Sequence, residues 1–204
     1  MKLSERYCTI YVVRHGESEW NVKGLIQGQS DSPLTQSGER QAFLLAKELK
    51  NIKFGAVFSS DLVRAKRTAD MIALERSLAI QTSKALIERN FGKLEGKSGK
   101  QIKILAELQR KADNAEFKSY GIESDKKIVG RMFTFLREIA VAYLGKTVLV
   151  VTHGSLVRVL IVHLGYATLD QLPPFSVGNT AFVKLESDGV DFFIRSTKRV
   201  HFKF

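Results

Sequence analysis

Apolar residues in this chain fall into short continuous runs, separated by longer stretches with helical spacing. Tyr7 to Val13 is a continuous apolar, β-branched run, the pattern of a strand buried on both faces. Thr35 stands where a helix N-cap would, four residues before Glu39. From Gly38 to Lys50 the apolar positions Ala42, Leu45, Ala46 and Leu49 then recur at helical intervals. Phe54 to Phe58 predicts a second strand, and Asp61 to Glu75 a helix with Asp61 near its start. Gln101 to Ala115 and Ser124 to Tyr143 predict further helices. Thr147 to Val151 repeats the character of the first strand and leads into a helix over Ser155 to Leu164. Two late runs, Ala181 to Leu185 and Val190 to Arg195, bracket Ser187-Asp188-Gly189, a hairpin-like turn.

Strands alternating with helices predict an α/β fold of three layers, with a mainly parallel central sheet flanked by helices. In such sheets ligands bind beyond the carboxyl ends of the strands. No solenoid-length repeat, low-complexity tract or Pro/Gly/Ser linker divides the 204 residues, so a single domain over 1–204 is expected. Hydrophobic residues at 44% and charged residues at 26% are ordinary for a globular chain and argue against disorder.

The only cysteine, Cys8, can form no internal disulfide, and no Cys/His cluster has zinc-ligand spacing. The first residues lack a signal-peptide pattern, and no stretch approaches the roughly 18 apolar residues of a membrane span. These features predict a soluble protein of a reducing compartment, the cytoplasm. The net charge of +11 admits two accounts. It could be a field that attracts anions, whether small phosphate esters, nucleic acid or acidic lipid, or a lysine-rich surface serving solubility.

Candidate chemistry sits at two strand ends. The first strand runs into VVRHGES (Val12 to Ser18) and the later one into VVTHGS (Val150 to Ser155), each an apolar strand followed by a His-Gly pair. A glycine there lets the backbone turn and a ligand approach closely. If the two strands are neighbours, His15 and His153 meet at one sheet edge. Arg14 precedes His15 directly, and Arg64 lies in FSSDLVRAKRTA (Phe58 to Ala69), which starts at the end of the second strand. Arginine offers a planar fork of donors suited to phosphate oxygens. Glu88 stands just before RNFGKLEG (Arg89 to Gly96), and a carboxyl group there could act as a general acid.

Taken in order, RHGESEWN (Arg14 to Asn21), QGQSDSPLTQSG (Gln27 to Gly38), SSDLVRAKRTA, ERNFGKLEG and VVTHGS resemble the histidine phosphatase superfamily, the phosphoglycerate mutase-like proteins. The resemblance implies that His15 is the nucleophile that becomes phosphorylated. Arg14, Arg64 and His153 would complete the phosphate pocket, and Glu88 would be the proton donor. Gly16, Ser18, Asn21, Gln27, Gly28 and Gly154 would contact or support the substrate. Neither a metal nor a cofactor is implied. Two arginines and a second histidine aimed at the phosphoryl oxygens would supply the charge stabilisation instead. Residues 97–123 would contribute to a small helical cap over the site.

The family contains phosphatases and cofactor-dependent phosphoglycerate mutases. Those mutases resemble one another in carrying a basic residue shortly after the Glu-containing block and an Arg-Arg pair beyond it. Here the first position is Gly99, flanked by Lys97 and Lys100, and the downstream stretch offers Arg110-Lys111. IQGQSDSPLT (Ile26 to Thr35) and YGIES (Tyr120 to Ser124) resemble phosphatase segments instead. The expected activity is hydrolysis of small phosphate monoesters through a phosphohistidine, with the mutase as alternative. A nucleic-acid-binding protein would suit the charge, but no RNP-like, KH-like or helix-turn-helix signature accompanies it. The expected partner is a small phosphorylated metabolite, with no membrane; a homodimer is left open.

Overall fold

The computed structural model describes residues 6–98 and 119–203. Its six strands are β1 (Cys8–Arg14), β2 (Phe54–Ser59), β3 (Ile80–Thr82), β4 (Thr147–Thr152), β5 (Val177–Ser187) and β6 (Phe192–Val200). They form one sheet in the order β3-β2-β4-β1-β5-β6. The pairs β3–β2, β2–β4 and β4–β1 are parallel, whereas β5 runs antiparallel to both β1 and β6. The parallel part therefore holds β1 and β4 side by side, which brings the two His-Gly segments to one edge. The late hairpin closes on the predicted turn, where the Asp188 carboxylate accepts from the Val190 and Asp191 N–H groups at 2.9 and 2.8 Å.

Burial on both faces explains the unbroken apolar run of β1. Alternate residues point to opposite faces. Ile10 and Val12 join a core with Val148, Val150, Leu136 and Leu160, while Tyr11 and Val13 join a second core with Leu45, Ile72 and Val151. Among the described residues, helices α2 (Gln36–Glu48) and α3 (Val63–Ala73) cover one face. Helices α4 (Asp125–Ala142) and α5 (Gly154–His163) cover the other, and a short α1 (Glu19–Val22) follows β1.

Local signals set most helix starts. The Thr35 hydroxyl accepts from the Gly38 N–H at 2.9 Å and the Ser124 hydroxyl from the Lys127 N–H at 3.4 Å, each at an N-cap. At α3 the expected start at Asp61 moves to Val63. The Val63 N–H is satisfied at 3.0 Å by Asp31, thirty-two positions earlier, a cap that no local pattern announces. Strand β3 is also additional to the predicted elements. The helix expected over Gln101 to Ala115, and most of the cap expected over 97–123, lie outside the described residues. Among those described, no helix is long and apolar enough to cross a membrane.

Candidate active site

The β1–β4 pairing carries directly into the site. Arg14 pairs with Thr152, and the next N–H, that of His15, donates to the Thr152 carbonyl at 3.0 Å. The two imidazoles that follow lie edge to face, with ring centroids 5.2 Å apart. Both are buried, His15 to 2% exposure and His153 completely.

The His15 ring is fixed in one tautomer. Its Nδ1 lies 2.6 Å from the Gly16 carbonyl oxygen, which can only accept, so Nδ1 carries the proton. Nε2 is left with its lone pair, facing the Arg64 Nε at 3.3 Å. Arg64 is itself held from behind, donating from Nη1 to the Ser30 carbonyl at 2.9 Å and from Nη2 to the Gly28 carbonyl at 2.7 Å. Arg14 donates from Nη1 to the Val177 carbonyl, while its buried Nε has no partner among the described residues. His153 accepts or donates through Nε2 to the Ser60 hydroxyl at 2.8 Å, and its Nδ1 is likewise unpartnered. Orphaned polar atoms cost roughly 1–3 kcal/mol each when buried. Their grouping here marks a place built for a ligand rather than for packing.

Burial is the largest influence on all three basic groups. It holds the His15 imidazole well below the ordinary histidine range, helped by the charges of Arg64 and Arg14 and opposed by the Gly16 carbonyl. It does the same to His153, with Arg64, His15, Arg14 and Arg131 adding to the effect. Arg14 is brought down to about 10 by burial and by Arg64, against the pull of Glu88. At neutral pH the site therefore holds charged guanidinium groups beside a neutral imidazole, the form in which an imidazole is nucleophilic.

Glu88 faces this cluster at 9% exposure. Its Oε1 accepts from the Arg89 N–H at 2.7 Å and its Oε2 from the Ser155 N–H at 3.5 Å. The Arg131 guanidinium steadies the same segment, donating to the Ala85 carbonyl at 2.8 Å and pairing with Glu123.

Asn21, Gln27, Gly28 and Gly154, expected on the substrate side, line an open pocket of about 780 Å³, mouth included, with Arg14, His15, Arg64 and Glu88. Gly16 and Ser18 stand behind its wall instead. The Gly16 N–H donates to the Thr68 hydroxyl at 3.0 Å, and a Cβ there would meet the Gly38 carbonyl oxygen at 2.5 Å. Ser18 caps α1, and its single hydroxyl proton is shared between Gln27 Oε1 at 2.9 Å and Asn21 Oδ1 at 3.0 Å, so it positions two pocket residues. Sequence reasoning missed Thr68 and the pocket residues Ser155, Arg158 and Phe175. A helical signal for two of them existed: Thr68 follows Arg64, and Arg158 follows Gly154, by one turn on the same face.

The chain is similar to proteins of known family. The histidine phosphatase superfamily (branch 1) matches residues 10–199. The metal-independent phosphoserine phosphatase of Arabidopsis thaliana is 36% identical over 178 residues, covering 82% of this chain and 73% of that protein. The phosphoserine phosphatase of Entamoeba histolytica superposes with a TM-score of 0.80 at 27% identity, over 94% of this chain and 96% of that one. The phosphoglycerate mutase of Bacillus anthracis superposes with a TM-score of 0.78 at 28% identity, over 93% and 92%. On the extent of these matches, the chain belongs to the histidine phosphatase superfamily.

Proposed function

We propose that this chain is a phosphatase that hydrolyses small phosphate monoesters, taking the phosphoryl group onto His15. The observation that carries the reading is the His15 ring itself: Nδ1 tied to the Gly16 carbonyl, and an unprotonated Nε2 that accepts from the Nε–H of a fixed Arg64, a donor an incoming phosphate can take over to release the lone pair. In the first step Nε2 forms a bond to phosphorus as the ester oxygen leaves. Glu88 gives that oxygen its proton, so a neutral alcohol departs. Arg14 and Arg64 hold the charge that spreads over the three remaining oxygens. In the second step water attacks phosphorus, Glu88 takes the water's proton, and the N–P bond breaks to return His15 and inorganic phosphate. His153, neutral and beside His15, contributes a further donor to the phosphoryl oxygens.

Phosphatases and mutases both occur among the similar proteins, and the likeness to the metal-independent phosphoserine phosphatase of Arabidopsis thaliana, over 82% of this chain, supports hydrolysis. The partner is then a small phosphorylated metabolite and water is the acceptor. The single thiol, Cys8, is buried and pushed up to about 12 by burial, which fits a chain working in a reducing cytoplasm. The test is to quench turnover of a ³²P-labelled monoester and look for acid-labile, base-stable label on the protein. Label should map to His15 and be absent from His15→Ala, which should also lose essentially all hydrolysis. A His15→Ala protein that kept a tenth of the activity would refute the reading.

A further inference from the structure

Arg64 is fully buried, yet among the described residues its guanidinium bonds only to neutral acceptors. These are His15 Nε2, the Gly28 carbonyl and the Ser30 carbonyl. Holding a guanidinium away from water with no anion nearby is unfavourable, and the charge must be offset even while the pocket is empty. Burial lowers the Arg64 pKa, against the pull of Glu88, Asp31 and Glu95. The first two are poorly placed to act as its standing counter-ion. Glu88 must be protonated to serve as proton donor. Asp31 caps α3 from an exposed position, where water and salt screen it.

Glu95 is half-buried and stands behind the loop that holds Arg64. Its Oε1 accepts from the Gln29 N–H at 3.0 Å and the Phe91 N–H at 3.1 Å, and its Oε2 from the Ser30 hydroxyl at 2.9 Å. The Gln29 N–H and the Gly28 carbonyl belong to one peptide unit. In a trans peptide the two point in opposite directions, so this unit meets Arg64 with its oxygen and Glu95 with its hydrogen. Its dipole lies aligned between a cation and an anion, and each hydrogen bond strengthens the other. Gly28 makes the close approach possible. It adopts φ +53°, and a Cβ there would collide with the Glu95 carboxylate.

We infer that Glu95 is the counter-ion of Arg64, acting through the Gly28–Gln29 peptide, and that it keeps the guanidinium aimed at the phosphoryl site. Glu95 is then a positioning residue for phosphoryl transfer, although it does not line the pocket. This rests on the reading of His15 as phosphoryl acceptor and deepens it. A carboxylate in direct contact with Arg64 would compete with phosphate for its donors. One set behind a peptide leaves the second N–H of each terminal nitrogen free.

The experiment is a double-mutant cycle on hydrolysis of p-nitrophenyl phosphate, with Arg64→Met as the second change. Glu95→Gln keeps the shape and the hydrogen bonds, because its amide oxygen accepts from both N–H groups and the Ser30 hydroxyl can accept from its amide nitrogen. Only the charge is removed. In the wild-type background kcat/KM should fall by about tenfold, as expected when a phosphoryl ligand is displaced by a fraction of an ångström. In the Arg64→Met background the same substitution should cost less than about twofold, since no guanidinium is left to place. Equal losses in both backgrounds would mark a merely structural role and overturn the inference. A Glu95→Gln protein within about twofold of wild type would overturn it too. Gly28→Ala, which displaces the carboxylate from the other side of the contact, runs the same cycle if the Glu95 variant does not fold. Its loss should also vanish without Arg64, and an equal loss in both backgrounds would again overturn the inference. If a ³²P-labelled monoester still labels His15 when the cycle fails, the phosphatase reading stands and only the counter-ion is lost. If no monoester labels His15, the phosphatase reading itself fails, and this inference with it.

Discussion

Arg14 lies across Gly154: a Cβ at residue 154 would stand 3.3 Å from the Arg14 Nε and 3.5 Å from its Cδ. The strand end that supplies one phosphate ligand is thus accommodated by the missing side chain at the other. Gly154→Ala keeps a good helix former in the first turn of α5, so the fold should persist, while the guanidinium must shift by a few tenths of an ångström. Misplacement by about 1 Å can cost 10²-fold in rate, so a loss of about tenfold in kcat/KM is expected here. Unchanged kinetics with unchanged thermal stability would show that Arg14 has slack this geometry denies it.

Glu88 offers a test that separates proton transfer from positioning. A general acid matters most for a poor leaving group. Glu88→Gln should therefore slow hydrolysis of alkyl phosphates far more, by ~10²-fold or greater, than that of p-nitrophenyl phosphate. Equal losses on both would assign Glu88 to holding the Ser155 and Arg89 backbone.

The two buried imidazoles make stability depend on pH. His15 and His153 sit well below the ordinary histidine value of 6.5 in the folded protein. Below about pH 6.5 the unfolded chain therefore binds protons that the folded chain refuses, and stability falls as pH drops. With two such groups the slope approaches about 2.7 kcal/mol per pH unit. Urea unfolding at pH 7.5 and 5.5 measures it, and His15→Asn should shrink the difference by roughly half. An equal difference in the variant would mean that His15 is protonated in the folded site.

Cations in the pocket come from its own side chains, Arg14, Arg64 and Arg158. Turnover of p-nitrophenyl phosphate should accordingly be the same before and after prolonged treatment with EDTA. Activity lost on chelation and restored by magnesium or manganese would require a different account of charge stabilisation.

The parts of this site that were legible in the sequence are those written in consecutive residues. An apolar run followed by His-Gly encodes both a buried strand and the turn at its end, so His15 and His153 could be read together. Interactions that cross the fold were not. The cap of α3 comes from Asp31, and nothing near Val63 signals it. The late strands run beyond their apolar runs; in β5, pairing with β6 shifts register between Val177 and Phe182, with Thr180 at φ +54°, which interrupts the alternation that would have announced its start. Arg158 reads in isolation as one polar residue within the apolar helix Gly154–His163. Only the packing of that helix against the segment from Leu172 turns it into a pocket residue. Ser18 shows the reverse: its place in the motif was clear, yet its side chain caps a helix and orients Gln27 rather than facing the pocket.

The segment from Leu172 to Val177 is fastened to Arg158 at one end and to Arg14 at the other. Loops at a pocket mouth are the usual place to graft a new substrate preference onto an old scaffold. In this chain such a graft would pull on a ligand of the phosphoryl group as well, so selectivity and turnover would change together. Laboratory evolution toward bulkier esters should therefore gather its early substitutions elsewhere in the lining, at Leu25, Ile26 and Phe91, where neither arginine is anchored.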